Sequence, residues 1–290
     1  MTVHQSSAGL EQYVSDWTPE PSTITETLTT TRAAELAATL DLDMSPSAGD
    51  SLPAMWHWVY FTEWPATADL GADGHPRDGH FLPPIPNRRR MFAGGRLTIH
   101  TPLTLGQPAT RDAAVVSANV KRGKSGELLF VTVRYEFSQD GQARMTEEQD
   151  LVYRSDAGSS TSFEKVAEPL PPPSSPWAIE PITHPVLLFR FSALTSNGHR
   201  IHYDEQYTTQ VEGFPGLVVH GPLLAMYMSE LARTNSERPL HTFEFRLMRP
   251  VFVGDRIRAQ GSPSADGASA ELSLVSGAAN VHASARAVYL

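Results

Sequence analysis

Three of the chain's eleven histidines are set apart by their neighbours. His199 and His202 lie three residues apart in the polar stretch Ser196-Asn197-Gly198-His199-Arg200-Ile201-His202-Tyr203-Asp204. His220 directly precedes Gly221-Pro222 and an apolar run. Imidazole is the side chain best suited to moving protons near neutral pH. Glycine at a helix start lets a ligand approach amides that have no helical partner. Those amides can receive an oxygen that is gaining negative charge. A base beside such a donor is what addition of water across a carbonyl-conjugated double bond requires.

A second set of residues suits charge recognition. Arg88, Arg89, Arg90 and Arg96 form a basic patch in an acidic chain. Arginine makes paired hydrogen bonds to phosphate or carboxylate, so CoA phosphates or a substrate carboxylate fit one reading. Solvated loop charge is the plainer one. Lys121, Arg122 and Lys124 carry the same two readings.

The elements that must position these residues divide at Glu168-Pro169-Leu170-Pro171-Pro172-Pro173-Ser174-Ser175-Pro176. Consecutive prolines lack backbone donors and favour a stiff, extended connector. The expected organisation is a first domain over 1–168, a linker over 169–180 and a second domain over 181–290. In the first part, Thr30 or Thr31 can cap a short helix running to about residue 40. The aromatic run 55–64 reads as a buried strand, and 70–87 as a loop rich in Gly, Pro, Asp and His. Alternating strands at 97–100, 128–137 and 143–153 follow, the last two joined by an Asp140-Gly141 turn. In the second part, Leu223, Leu224, Tyr227, Met228 and Leu231 recur at helical spacing after Pro222. Strands are expected at 241–248, 256–260, 270–275 and 281–289. One helix followed by several strands predicts an α+β fold, a curved antiparallel sheet wrapped on a helix. Pro102-Leu103-Thr104-Leu105-Gly106 resembles Pro250-Val251-Phe252-Val253-Gly254. With the linker, that match favours two related domains.

Bulk composition excludes some classes. The 290 residues are 40% hydrophobic, enough for a core, and carry a formal charge of -9, which argues against non-specific nucleic-acid binding. The absence of cysteine removes disulfides, thiolate ligands and a cysteine nucleophile. Met1-Thr2-Val3-His4-Gln5-Ser6 lacks the pattern of a secretory signal, and no apolar run is of membrane-spanning length. A cytoplasmic protein with no membrane partner is the expectation.

Residues 189–222 resemble the active-site region of the MaoC-like, type 2 hydroxyacyl-thioester dehydratases. The segments Phe191-Ser192-Ala193-Leu194-Thr195, Asn197-Gly198-His199-Arg200-Ile201-His202-Tyr203-Asp204 and Gly216-Leu217-Val218-Val219-His220-Gly221-Pro222-Leu223 carry that likeness. They are similar to a two-domain subgroup, the mesaconyl-C4-CoA hydratase-like proteins. Leu52-Pro53-Ala54-Met55-Trp56-His57-Trp58, Phe81-Leu82-Pro83-Pro84-Ile85-Pro86 and the run from Arg89 to Arg96 extend it to the first part. The resemblance implies a double hot-dog fold, each domain a curved antiparallel sheet around a helix. It implies reversible hydration or dehydration of an enoyl or 3-hydroxyacyl thioester, with mesaconyl-C4-CoA to citramalyl-CoA the leading case. Asn197, His202 and Gly221 take the catalytic positions, Asn197 standing where many relatives have Asp. Asn cannot act as a carboxylate base, but it can orient water or hydroxyl. His199, Asp204 and His220 support them, Asp204 most simply as a helix cap. The second domain carries the chemistry, and the first shapes the substrate tunnel. CoA enters as part of the substrate, with no separate cofactor and no metal.

Other readings use the same residues. A metal could be held by His199, His202 and Asp204, with His220 as a further ligand. A hot-dog acyl-CoA thioesterase, a hydratase acting on another enoyl-CoA or a carrier-bound acyl chain, and a non-catalytic thioester-binding module are the remaining alternatives. Pairing into a homodimer or a higher homo-oligomer is compatible with the fold.

Overall fold

The alternating runs around Asp140-Gly141 form the hairpin β4 (Gly126–Gln139) and β5 (Gln142–Ser155). Both turn residues have positive φ, as a two-residue hairpin turn demands. The computed structural model describes residues 9–290, apart from 80, 87, 124–125, 156–162 and 166–167. Lys124 lies outside the described residues.

The remaining first-half elements are α1 (Glu11–Val14), β1 (Ser22–Thr27), α2 (Thr30–Thr39), β2 (Arg88–Ile99) and β3 (Pro108–Gly123). The second half holds β6 (Trp177–Ile179), α3 (Pro185–Leu194), α4 (Glu205–Gln210), α5 (Gly221–Thr234), β7 (Leu240–Leu247), β8 (Arg258–Pro263), β9 (Ser269–Val275) and β10 (Val281–Tyr289). Thr29, one residue before the expected caps, receives the Arg32 N–H at the start of α2.

The strands form one ten-stranded sheet in the order β1-β3-β4-β5-β2-β7-β10-β9-β8-β6. Each half contributes five strands in mirrored order, and the halves meet where β2 pairs antiparallel with β7, Leu97 opposite Phe243. The expectation of a curved sheet around a helix in each domain is therefore corrected. The α+β, double hot-dog-like arrangement holds, but its sheet is neither closed nor strongly curled, and β1 and β6 are open edges. The cause is the β2–β7 pairing, which satisfies the edge of each half with the other and runs the two sheets into one.

The halves also differ in their helices. Helix α5 packs across β7, β8, β9 and β10 and buries ten consecutive residues, Leu223 to Ala232. At the corresponding place the first half has only the 3-10 turn Trp56–Val59, where a strand was expected. Met55 enters that turn with left-handed φ, which breaks an extended path. Buried polar bonds then fix it: Trp56 Nε1–H donates to Glu230 Oε1 at 2.8 Å, and His57 and Trp58 both donate to Glu147 at 2.8 Å.

The short repeat marks equivalent positions. Each Pro-x-x-x-Gly segment follows the strand by which its half joins the other, β2 or β7, and ends on a glycine with positive φ, Gly106 or Gly254. Each also bridges the segment entering its turn or helix, Ser51 with Thr104 and Val218 with Phe252. One apolar core spans both halves, joining Leu36, Trp56 and Leu97 to Phe191, Leu224 and Phe243. The proline-rich run is laid against the second half, with Arg258 Nη1 donating to the Pro171 carbonyl.

Candidate active site

The loop that carries Asn197 begins where α3 ends. Ser196 adopts left-handed φ, and the Asn197 N–H reaches back to the Ser192 carbonyl at 2.9 Å, closing the helix C-terminus. Asn197 Oδ1 accepts the His199 N–H at 3.0 Å. That bond orients the amide and leaves its NH2 group as the available donor. Asp204 caps α4 through the Tyr207 N–H and pairs with Arg200 at 2.7 Å, while the Arg200 guanidinium lies over the Tyr207 ring. These contacts hold the 3-10 turn Arg200–His202 from both sides.

His202 is buried, and its Nδ1 lies 2.7 Å from the Val218 carbonyl. A carbonyl only accepts, so Nδ1 carries the hydrogen and Nε2 carries the lone pair. Burial, partly offset by that carbonyl, lowers the His202 pKa to about 4, so at neutral pH the ring is neutral and its Nε2 lone pair can accept a proton. His220 stacks on it with ring centres 3.6 Å apart and joins Ser192 Oγ through Nε2 at 2.8 Å. Burial, and then the neighbouring imidazoles, keep His220 neutral too.

Gly221 opens α5. Its N–H has no hydrogen-bond partner among the described residues, and Pro222 has no N–H to offer. A β-carbon at Gly221 would press on the end of the Leu247 side chain, which would have to shift.

A cavity of about 1330 Å³ lies between the halves, lined by Asn197, His199, His202 and Gly221 together with His57, Trp58, Arg88, Arg89, Arg90 and Arg111. Asp204 and His220 stand behind its wall. Arg96 is away from it, bound to Glu148 and Asp150. Of the cavity arginines, Arg88 donates to the Pro83 and Arg77 carbonyls and Arg89 pairs with Glu212 at 3.3 Å. Arg90 is exposed, and its charge acts on His75, His199 and His202. Lys121 lies over Phe130, and Arg122 pairs with Glu127.

Sequence reasoning missed two site residues. The first-half loop brings Asp73 and His75 against His199, with the His75 and His199 ring centres 4.1 Å apart. The loop is held there by Arg200, whose N–H reaches the Asp73 carbonyl at 2.8 Å and whose Nη1 reaches Ala72. Gly74 has φ of 88°, and a β-carbon on it would run into the Gly198 carbonyl. His75 Nδ1–H donates to Asp73 Oδ2 at 3.0 Å. The Asp73-Gly74-His75 spacing was the available signal, but it was absorbed into a loop reading. Among the described residues, Asp73, His75 and His199 form the one convergence of three metal-type donors, within 4.8 Å of one another. Asp73 and His75 already satisfy each other there. Asp204, bound to Arg200, takes no part in that group.

Comparison with known proteins identifies the family. A family model described as "Hydroxyacyl-thioester dehydratase type 2" matches residues 55–253. The chain is 43% identical over 272 residues to a mesaconyl-C(4)-CoA hydratase of Chloroflexus aurantiacus, covering 89% of this chain and 96% of that one. It is 28% identical over 235 residues to a mitochondrial hydroxyacyl-thioester dehydratase type 2 of Schizosaccharomyces pombe, covering 72% and 77%. A Mycobacterium tuberculosis structure with a double hot-dog fold superposes with a TM-score of 0.57 at 13% identity, covering 96% and 98%. The chain belongs to the MaoC-like, type 2 hydroxyacyl-thioester dehydratase family, and it is a hydro-lyase.

Proposed function

We propose that this enzyme interconverts mesaconyl-C4-CoA and citramalyl-CoA by reversible addition of water. The extent of the likeness to the Chloroflexus hydratase, along nearly the whole of both chains, supports that substrate. One observation carries the mechanism: a neutral imidazole with its Nε2 lone pair available shares a cavity with the uncommitted amide of Gly221.

The acyl thioester enters between the halves. The Gly221 N–H holds the thioester oxygen as it gains enolate character, and the helix start adds its favourable dipole. Asn197 and His202 bracket the water. His202 Nε2 takes its proton while oxygen bonds to the β-carbon. The second half supplies these groups, and the first half walls the cavity. Arg90 is placed to meet a negative charge on the acyl group, and Arg88 and Arg89 line the route for the CoA phosphates. Asp204, His199 and His220 hold the loop and rings in place. Water and thioester are the whole reaction, so no cofactor enters it.

Loss of enoyl-thioester absorbance without release of free thiol is the expected assay result. In a screen of enoyl-CoAs, short branched dicarboxylic ones should be hydrated best. His202→Ala should lower kcat by about 100-fold or more, the range for a lost general base, with unchanged circular dichroism. Thiol release by the wild type, or near-normal turnover in a folded His202→Ala variant, would overturn this function. A preference for medium chains would move the substrate away from mesaconyl-C4-CoA.

A further inference from the structure

Adding water to a conjugated thioester moves hydrogen at two places. The attacking oxygen loses one proton, and the α-carbon gains one. His202 accounts for the first. Asn197 has no titratable group, and His220 stands behind the cavity wall with its Nε2 committed to Ser192. The second place calls for another group.

The first half supplies one. His75 lines the cavity and is hydrogen-bonded directly to a carboxylate. That carboxylate only accepts, so His75 Nδ1 carries the hydrogen and Nε2 carries the lone pair. Asp73 also accepts the His75 N–H through Oδ1 at 3.0 Å, so two bonds fix the pair as a unit. Burial opposes ionisation of Asp73, but the bonds from His75 outweigh it and hold the carboxyl well below the usual range. Any proton that reaches His75 therefore comes to rest beside a negative charge. Arg88, Arg90, His199 and His202 are the other charged or titratable groups acting with it; burial and the two arginines keep the resting ring neutral, and Asp73 is the group that favours its protonation.

The pair is docked on the catalytic loop. Its backbone accepts the Arg200 N–H, and Gly74 fits against Gly198 with no room for a side chain. The imidazoles form a row. His75 to His199 is 4.1 Å between ring centres, His199 to His202 is 5.6 Å, and His202 to His220 is 3.6 Å.

We propose that Asp73 and His75, contributed by the first half, form the second proton-transfer element of this active site, serving the acyl α-carbon. The proposal rests on the hydratase function above. In hydration, the C–O bond forms at the β-carbon as the water proton passes to His202 Nε2. The π electrons move to an enolate held by Gly221. His202 releases that proton to solvent, and a proton taken up from solvent by His75 Nε2, where Asp73 stabilises the imidazolium, bonds to the α-carbon. Both rings end neutral, and nothing but water is consumed. Dehydration reverses each step. His75 is then a catalytic residue, and Asp73 is a positioning residue that acts through it.

The test uses the full-length enzyme after wild-type hydratase activity has been established. His75→Gln keeps a donor for Asp73 but cannot carry a proton. It should lower kcat by about 100-fold with KM little changed. Asp73→Asn should lower kcat by about tenfold and move the acid limb of its pH profile, because the imidazolium loses its counter-charge. His75→Ala should regain part of its rate on addition of free imidazole, which a structural defect would not. In deuterium oxide, the wild type should place deuterium at the α-carbon of the hydroxyacyl thioester, and His75→Gln should lose that exchange. Folded His75 variants with near-wild-type kcat and exchange would overturn the proposal while leaving the hydratase function standing. So would loss of wild-type activity to a chelator with recovery on adding zinc, which would make the cluster a metal centre. A wild type that hydrates no enoyl-CoA refutes the underlying function instead.

Discussion

The imidazole of His202 is fitted to its work by what it lacks as much as by what it touches. It has a carbonyl on Nδ1 and, among the described residues, no carboxylate bonded to it, and burial keeps it neutral. Burial likewise lowers His199, His220 and His75. Depressed values in the folded state carry a cost on acidification. As pH falls below about 6.5, the unfolded chain binds protons at these rings while the folded chain does not, so the unfolded state gains. Urea midpoints should therefore hold steady from pH 8 to 7 and fall progressively from about pH 6.5 towards pH 4. A midpoint flat across that window would contradict neutral burial of the row. At this scale the sequence was legible where the residues are local. Asn197, His202 and Gly221 line one cavity. Asp73 and His75 were not legible, because their meaning comes from contact with His199, more than a hundred residues away. Arg96 belonged to the basic patch by number, but its strand register turns it to Glu148 and Asp150.

Helix α5 is the element on which the site and the core both depend. Its start holds Gly221, and its middle carries a buried glutamate that accepts from Trp56 of the first half and from Arg233 at 2.6 Å. Glu230→Ala would strand the Trp56 N–H in a dry core, at a cost of about 1–3 kcal/mol. That should appear as a lower urea midpoint with little change in denaturant slope. Glu230→Gln, which can still accept, should recover most of the loss. The helix itself was readable from its apolar spacing and Pro222. The turn Trp56–Val59 was not. Its aromatics suggested a strand, but their polar edges are used to reach Glu230 and Glu147, and those bonds impose a turn. The Pro-x-x-x-Gly repeat was a faint signal that the structure makes concrete at equivalent corners of the two halves.

Across the whole molecule, the two halves share one sheet and one apolar core. Removing residues 1–180 would strip β2 from β7 and uncover Phe191, Leu224 and Phe243, leaving a bare strand edge beside exposed core. A 181–290 fragment should aggregate or fail to fold, judged by size-exclusion chromatography and circular dichroism. A monodisperse, active fragment would show that the second half stands alone. Two related halves could be inferred from repeat and linker, but a continuous sheet could not. The β2–β7 register depends on edges that meet only in three dimensions.

The meeting of β2 and β7 has a further consequence. Where two separate chains build a site at their interface, the site disappears as the chains are diluted below their affinity. Here both walls of the cavity belong to one polypeptide, so each stays at a fixed, high local concentration relative to the other. The halves are then free to diverge. One carries the long helix and the Asn197–His202 loop, and the other has a short aromatic turn. A tethered pair can specialise its members without risk of pairing two copies of the same half.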